Sequence, residues 1–291
     1  MELTDINVIK MLGKKYGFKF SKSMGQNFLT ESWVPEQIAA SIEDIENKTV
    51  FEIGPGIGCL TKELLIRAQK VVTIELDKSL EPLLKETLGA YDNLKVIYAD
   101  AMKQDFTKLV SDNAEGREAA FCANLPYNIT SPILTKLIDA QVFSSITIMI
   151  QKEVADRICA APGTSDYGAF TAYINWRCSA EKRFDVQPDA FFPMPKVTSS
   201  VICLKPLRKA PAEVKEQKLM QRIIKAAFSQ RRKTLLNALS AGLSEYNKAD
   251  IAKAIISIGM GEKVRGEQLH VTDFAKLSDL LSEKQKISKI D

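Results

Sequence analysis

The 291-residue sequence contains a single histidine, His270, near its C-terminal end. A Ser–His or Cys–His hydrolase needs an imidazole beside its nucleophile, and a histidine-built metal site needs several, so both classes are set aside. The five cysteines, at 59, 122, 159, 178 and 203, are odd in number, and none form a C-x-x-C pair. Such usage fits reduced thiols in a cytosol and argues against a zinc centre. No run approaches the roughly 20 apolar residues of a membrane span. The opening MELTDINVIK has acids early and no apolar signal core, so export is not expected. The expectation is a cytoplasmic protein, with no metal and no membrane partner, whose chemistry proceeds without imidazole.

With 45% apolar and 26% charged residues, the chain has the composition of an ordinary globular protein, long enough for one large and one small domain. Its formal charge of +4 is unevenly spread. Lys205 to Leu236 holds ten Lys/Arg against two Glu, a local +8, so the remainder sums to −4. Such a block is either a solvated helix face or the footprint of a polyanion, where each cation near a phosphate releases counterions.

Residues 3 to 17 have the pattern of a short amphipathic helix, followed by the basic loop FKFSKSMGQNFL. Beyond residue 35, apolar runs at 49–54, 70–76, 94–100, 119–125 and 146–151 alternate with helical stretches such as CLTKELLIRAQ and KSLEPLLKETL. Strand–helix alternation predicts an α/β fold, a parallel sheet covered on both faces by helices. KRFDVQP and TSSVICL read as a closing pair of strands at one edge. After Pro206 and Pro211 the strand pattern stops, and residues 213–243, 247–258 and 272–284 are helical in period. This predicts a catalytic domain over 1–207 and a small all-α domain over 208–291, with no repeats. No partner helix is evident, and a monomer is expected.

FEIGPGIG (51–58) places Gly54, Gly56 and Gly58 between a strand and a helix, where glycine lets a ligand approach the backbone. The helix N-terminus that follows favours negative charge. It is not the dinucleotide fingerprint, because G-x-G-x-x-G would need glycine at Cys59. Pro55 stiffens the loop, and Glu52 adds a carboxylate that would suit a cationic, phosphate-free ligand better than a pyrophosphate. Glu75 ends the second strand 21 residues after Gly54 and can accept both hydroxyls of a ribose; Asp77 is the better candidate for capping the next helix. Asp100 ends the third strand, where a carboxylate can accept the exocyclic amine of an adenine. Together these point to S-adenosylmethionine rather than a nicotinamide cofactor.

NLPYN (124–128) follows the apolar AAFCA. Asn and Pro make a turn, but a turn gives Tyr127 no task. An amine on an aromatic ring is a poor nucleophile because its lone pair is delocalised. The Asn124 amide oxygen and the Leu125 carbonyl could accept its two hydrogens and draw the nitrogen towards tetrahedral geometry. Pro126 fixes the turn without a competing N–H, and Tyr127 offers a ring on which a flipped base can stack. Positioning and electrostatics would then carry a methyl transfer without a strong base. FFPMPKVTSS (191–200) presents two rings ahead of two prolines; Phe191 is expected as the second stacking platform and Phe192 as core.

KSMGQNFL, FEIGPGIG, Glu75, Asp100, NLPYN, YGAFTAY, FFPMPKVTSS and FSQRRKTLLNAL occur in that order. This closely resembles the ribosomal RNA adenine N6,N6-dimethyltransferase family, of the bacterial small-subunit (KsgA/RsmA) type, from about residue 20 to 280. The NLPY and F-x-P-x-P-x-V-x-S stretches are far more specific than the glycine loop. The resemblance implies a Rossmann-like class I methyltransferase sheet with a helical C-terminal domain. It implies a cofactor site of Asn27, Leu29, Gly54, Glu75, Asp100 and Asn124, with Gln26, Phe28 and Gly56 nearby. It further implies that the substrate is two adjacent adenines in a hairpin loop near the 3′ end of small-subunit rRNA, methylated in a 30S assembly intermediate. Arg231, Arg232 and Lys233 are the expected RNA contacts, with Lys19, Lys22 and Arg222 as weaker ones. Two rivals share the scaffold: an Erm-type large-subunit methyltransferase and a non-catalytic RNA-binding factor.

Overall fold

The computed structural model describes residues 1–17, 27–126, 129–207, 209 and 211–287, the last four as backbone only. In chain order the described residues form α1 (Ile6–Tyr16), β1 (Phe28–Leu29), α2 (Trp33–Ala40), β2 (Lys48–Ile53), α3 (Cys59–Arg67), β3 (Lys70–Glu75), α4 (Glu81–Leu88), β4 (Leu94–Tyr98), α5 (Phe106–Asn113), β5 (Glu118–Asn124), α6 (Thr130–Ala140), β6 (Phe143–Gln151), α7 (Lys152–Ile158), α8 (Ala169–Arg177), β7 (Cys178–Val186), β8 (Phe191–Phe192), β9 (Ser199–Pro206), α9 (Gln217–Ser229), α10 (Leu235–Gly242), α11 (Lys248–Ser257) and α12 (Val271–Ile287).

The main sheet runs β4-β3-β2-β5-β6-β9-β7. The pairs from β4 through β6 are parallel, and β9 joins β6 antiparallel. Every residue of β2 is buried, as a strand sandwiched on both faces must be. Alternate side chains serve opposite layers. Val50, Val71, Ala120, Cys122 and Met149 pack into a core with Ile9, Val34, Ile38, Leu64 and Leu83 from α1 to α4. On the other face Phe51, Phe121 and Phe106 of α5 meet Phe143 edge-on, with ring centroids 5.6–6.1 Å apart. The chain builds outward from β2 to β4, then returns to place β5 on β2's other side. That reversal opens a crevice at the carboxyl ends of the strands, where ligands bind in open α/β sheets.

The short β1–β8 ribbon pairs Phe28 with Phe192 and Leu29 with Phe191, and Thr30 N–H donates to the Ala190 carbonyl at 2.9 Å. This pairing ties Asn27–Leu29 to a segment more than 160 residues away.

The chain divides into two compact units, Met1–Ala155 with Ala180–Pro206, and Asp156–Ser179 with Leu207–Asp291. A single cut near residues 206–212 assigns 156–179 to the sheet. Instead, Tyr167, Ala172 and Trp176 are buried with Leu219, Ile223, Leu239 and Phe274 in the helical core. The continuous helix expected over 213–243 is also interrupted. α9 ends at Ser229, and α10 restarts where the Thr234 hydroxyl caps Asn237 N–H. At the first residue of α10 the Leu235 N–H donates to the Val264 carbonyl at 2.7 Å, a tertiary bond that an uninterrupted helix could not make. Among the described residues no helix is long and apolar enough to cross a membrane.

Candidate active site

A cavity of about 490 Å³ lies at the carboxyl ends of β2 to β5 within the sheet unit. Gly54, Pro55, Gly56 and Ile57 form one wall, Glu75 to Asp77 a second, Asp100 to Met102 a third, and Asn124 to Pro126 with Ile129 a fourth. Asn27, Phe28, Leu29 and Phe191 close it from the β1–β8 ribbon. Of the residues expected at the site, Asn27, Phe28, Leu29, Glu52, Gly54, Gly56, Glu75, Asp100, Asn124, Leu125, Pro126 and Phe191 all line this one cavity. Gln26, Tyr127, Lys19 and Lys22 lie outside the described residues.

The glycine loop turns because Gly54 and Gly58 hold φ of +70° and +98°, values other residues reach only at a cost. Gly58 is also tight, since a Cβ there would sit 3.0 Å from the Leu88 side chain. Gly54 N–H donates to the Ile74 carbonyl at 2.9 Å, pinning the loop to β3.

The three acids differ in their surroundings. Glu75 is buried, and its carboxyl accepts Asp77 N–H at 2.8 Å. Burial raises its pKa above the usual carboxylate range, against the pull of the Asp77 and Leu76 N–H groups. Asp77 caps the turn at 78–80 through Ser79 N–H. Asp100 accepts Met102 N–H at 2.8 Å and so shapes the turn on the third wall.

Glu52 departs from expectation. It is 1% exposed inside β2, and it accepts the Thr61 hydroxyl at 2.7 Å. Burial pushes its pKa up to about 8, with the Thr61 hydroxyl opposing and Glu75 adding a further push. Near neutral pH it therefore contributes a largely protonated wall and not the fixed negative charge that its position predicted. The native carboxyl holds its proton up to about 8, whereas the unfolded one releases it in the ordinary carboxylate range near 4.3. Between those limits the native state binds more protons, so stability falls as pH rises and levels off above 8. Glu52→Gln should remove this share of the fall. Thermal melts from pH 5 to 9 should show the variant gaining on wild type with rising pH; a constant difference would refute the assignment.

Asn124 ends β5 beside Met149 of β6. Among the described residues, neither its carboxamide nor the Leu125 carbonyl has a hydrogen-bond partner, whereas the Pro126 carbonyl accepts both Ile129 N–H and the Thr130 hydroxyl at 3.2 Å. Asn124 and Leu125 both line the cavity. Phe191 contributes to the cavity yet is only 4% exposed, and Phe192 is the half-buried one, under the Lys10 ammonium at 5.3 Å. This reverses the expected exposure of the pair: adjacent residues of β8 point to opposite faces, and Phe191, opposite Leu29, is the one that is buried.

Leu76, Met102 and Ile129 were not anticipated as cavity residues. Leu76 is 73% exposed; the signal was an apolar residue directly after a strand-end acid.

In the helical unit, Arg231 is occupied internally. Its guanidinium donates to the Ser165 carbonyl, and to the Tyr167 carbonyl at 3.0 Å. Arg222 pairs with Glu245 at 2.5 Å. Arg232 and Lys233 are exposed in the turn between α9 and α10, with no ion pair among the described residues. No group of three metal-type side chains occurs among the described residues.

The model of the ribosomal RNA adenine dimethylase family matches residues 17–283. Ribosomal RNA small subunit methyltransferase A of Clostridium acetobutylicum is 44% identical over 271 residues, 93% of this chain and 96% of that one. The solved dimethyladenosine transferase from Plasmodium falciparum superposes with a TM-score of 0.74 at 29% identity, covering 89% of this chain and 98% of that one. The 23S rRNA methyltransferase ErmE superposes with a TM-score of 0.68 at 25% identity, covering 88% and 100%.

Proposed function

The chain belongs to the ribosomal RNA adenine dimethylase family, and from that premise we propose that it dimethylates N6 of two adjacent adenines in the 3′-terminal hairpin loop of 16S rRNA, using S-adenosylmethionine, on a 30S assembly intermediate in the cytoplasm. The observation that carries the chemistry is that Asn124 and Leu125, whose carboxamide and carbonyl have no hydrogen-bond partner among the described residues, line the same cavity as Glu75 and Asp100.

The cavity fits the donor. Glu75 would hold the ribose hydroxyls and Asp100 the purine amine, while the N-terminal N–H groups of α3 favour the donor's carboxylate. When bound, the donor supplies an electrophilic methyl on a sulfonium. The protein's part is to hold the attacking nitrogen. Asn124 Oδ1 and the Leu125 carbonyl each accept one N6 hydrogen, which turns the nitrogen lone pair out of conjugation and along the line of transfer. With the donor held by Glu75 and Asp100, its sulfonium would supply the methyl to N6 and be left as the neutral thioether, and the surplus N6 proton would pass to solvent. After one transfer a single hydrogen remains, and either acceptor can hold it for the second. Phe191 supplies an apolar wall for the flipped base, and Tyr127 is the proposed partner ring.

For RNA, the exposed Arg232 and Lys233 remain as the phosphate contacts, while Arg231 is a brace for the 165–167 segment. The test uses tritiated donor with isolated immature particles of each subunit. Label should enter small-subunit adenines, and replacing Arg232 and Lys233 by alanine should lower affinity and reduce the slope of log K against log salt by about 2. Label confined to the large subunit would transfer the protein to the Erm type, and an unchanged salt slope would leave those cations as plain solvated surface.

A further inference from the structure

We infer that Lys136 is a positioning residue for the purine end of the donor site, acting from α6 through the 100–104 turn. The inference rests on the reading of Asp100 as the residue that accepts the donor's exocyclic amine.

Asp100 begins a single short helical turn, Ala101–Lys103. Its N-terminal end is well held, since the Asp100 carboxylate accepts Met102 N–H at 2.8 Å and the Asp100 carbonyl accepts Lys103 N–H at 3.0 Å. Its C-terminal end is the weak point, because carbonyls there have no partner within the turn. The Lys136 ammonium supplies one, donating to the Met102 carbonyl at 2.7 Å and the Gln104 carbonyl at 2.9 Å. A cation at the carbonyl end of a helical turn is also favoured by the local dipole. The ammonium is held in place over the buried Phe106 ring, 5.9 Å from its centroid. The other cation at the turn, Lys103, lies 3.8 Å from Asp100 with its side chain 83% exposed, too solvated to fix the turn.

The same helix is fixed at its other end to the acceptor side of the cavity, where the Thr130 hydroxyl donates to the Pro126 carbonyl at 3.2 Å. α6 therefore joins the wall carrying Asn124–Pro126 to the wall carrying Asp100–Met102. Loosening Lys136 should let the purine wall drift while leaving Asn124 in place. The expected loss is in donor binding and purine discrimination, with little effect on the transfer step at saturating donor.

The experiment titrates S-adenosylmethionine and its deaminated inosyl counterpart, by calorimetry, into wild type, Asp100→Asn, Lys136→Met and Lys136→Gln. Asp100→Asn should collapse the preference for the adenosyl donor. Lys136→Met should weaken the adenosyl donor by about tenfold and narrow the same preference, with kcat at saturating donor changed by less than about twofold. Lys136→Gln keeps one donor and should fall between the two; it carries the test should the methionine variant fold poorly. Retention of full preference by both Lys136 variants, with Asp100→Asn losing it, would overturn the inference and leave the site intact. A preference that survives Asp100→Asn would overturn the purine assignment and the inference with it.

Discussion

Asn124→Ala should lower methyl transfer by roughly two to three orders of magnitude, the usual effect of removing one preorganised group from a reacting centre. The loss should fall on kcat, with donor KM changed only modestly, because Glu75 and Asp100, the residues proposed to hold the donor, remain. The reasoning starts from the end of β5. Register with β6 holds the backbone of Asn124 opposite Met149, so truncating its side chain leaves the wall standing and removes only the acceptor. The Leu125 carbonyl cannot compensate alone, because two N6 hydrogens need two acceptors aimed from different directions. Glu52 is no substitute base, because it holds its proton up to about 8 and is committed to Thr61, and Glu75 and Asp100 are assigned to the donor. A variant that transfers methyl at the wild-type rate, measured in single turnover, would refute the role.

The parts of this site that were legible in the sequence are those set by local rules. Gly54 and Gly58 mark a turn that only a positive φ closes, and Glu75 and Asp100 terminate apolar runs whose period already places their ends at one edge of the sheet. What was not legible depends on partners distant in the chain. Arg231 is indistinguishable from Arg232 by neighbourhood, yet the carbonyls of Ser165 and Tyr167 engage one and not the other. Phe191 and Phe192 are the same residue type side by side, and only their placement on opposite faces of the ribbon with Phe28 and Leu29 decides which is buried. The break between α9 and α10 lies in a stretch whose period alone continues through it; the bond from Leu235 to Val264 and the Thr234 cap decide otherwise. Glu52 carries the residue type of a charge, but sequence does not show burial, and burial is what sets its protonation.

Glu75→Gln should weaken S-adenosylmethionine by roughly ten- to a hundredfold, the loss of one hydrogen bond to a charged acceptor. A carboxylate accepts both ribose hydroxyls; the amide keeps one acceptor and points a donor at the other hydroxyl. The folded protein should not suffer, because burying the carboxylate is itself costly and the amide oxygen can still receive Asp77 N–H. Weaker binding together with equal or higher thermal stability therefore separates a ligand-holding acid from a structural one. The acid also sets a pH dependence. Because burial raises the Glu75 pKa, the wild type protonates this group at a pH above the ordinary carboxylate range, and the protonated form loses an acceptor. Donor affinity in the wild type should thus fall as pH is lowered through that raised pKa, and the Glu75→Gln variant should lack this phase of the loss. Binding curves for the two proteins that stay parallel across acid pH would show that residue 75 does not hold the donor.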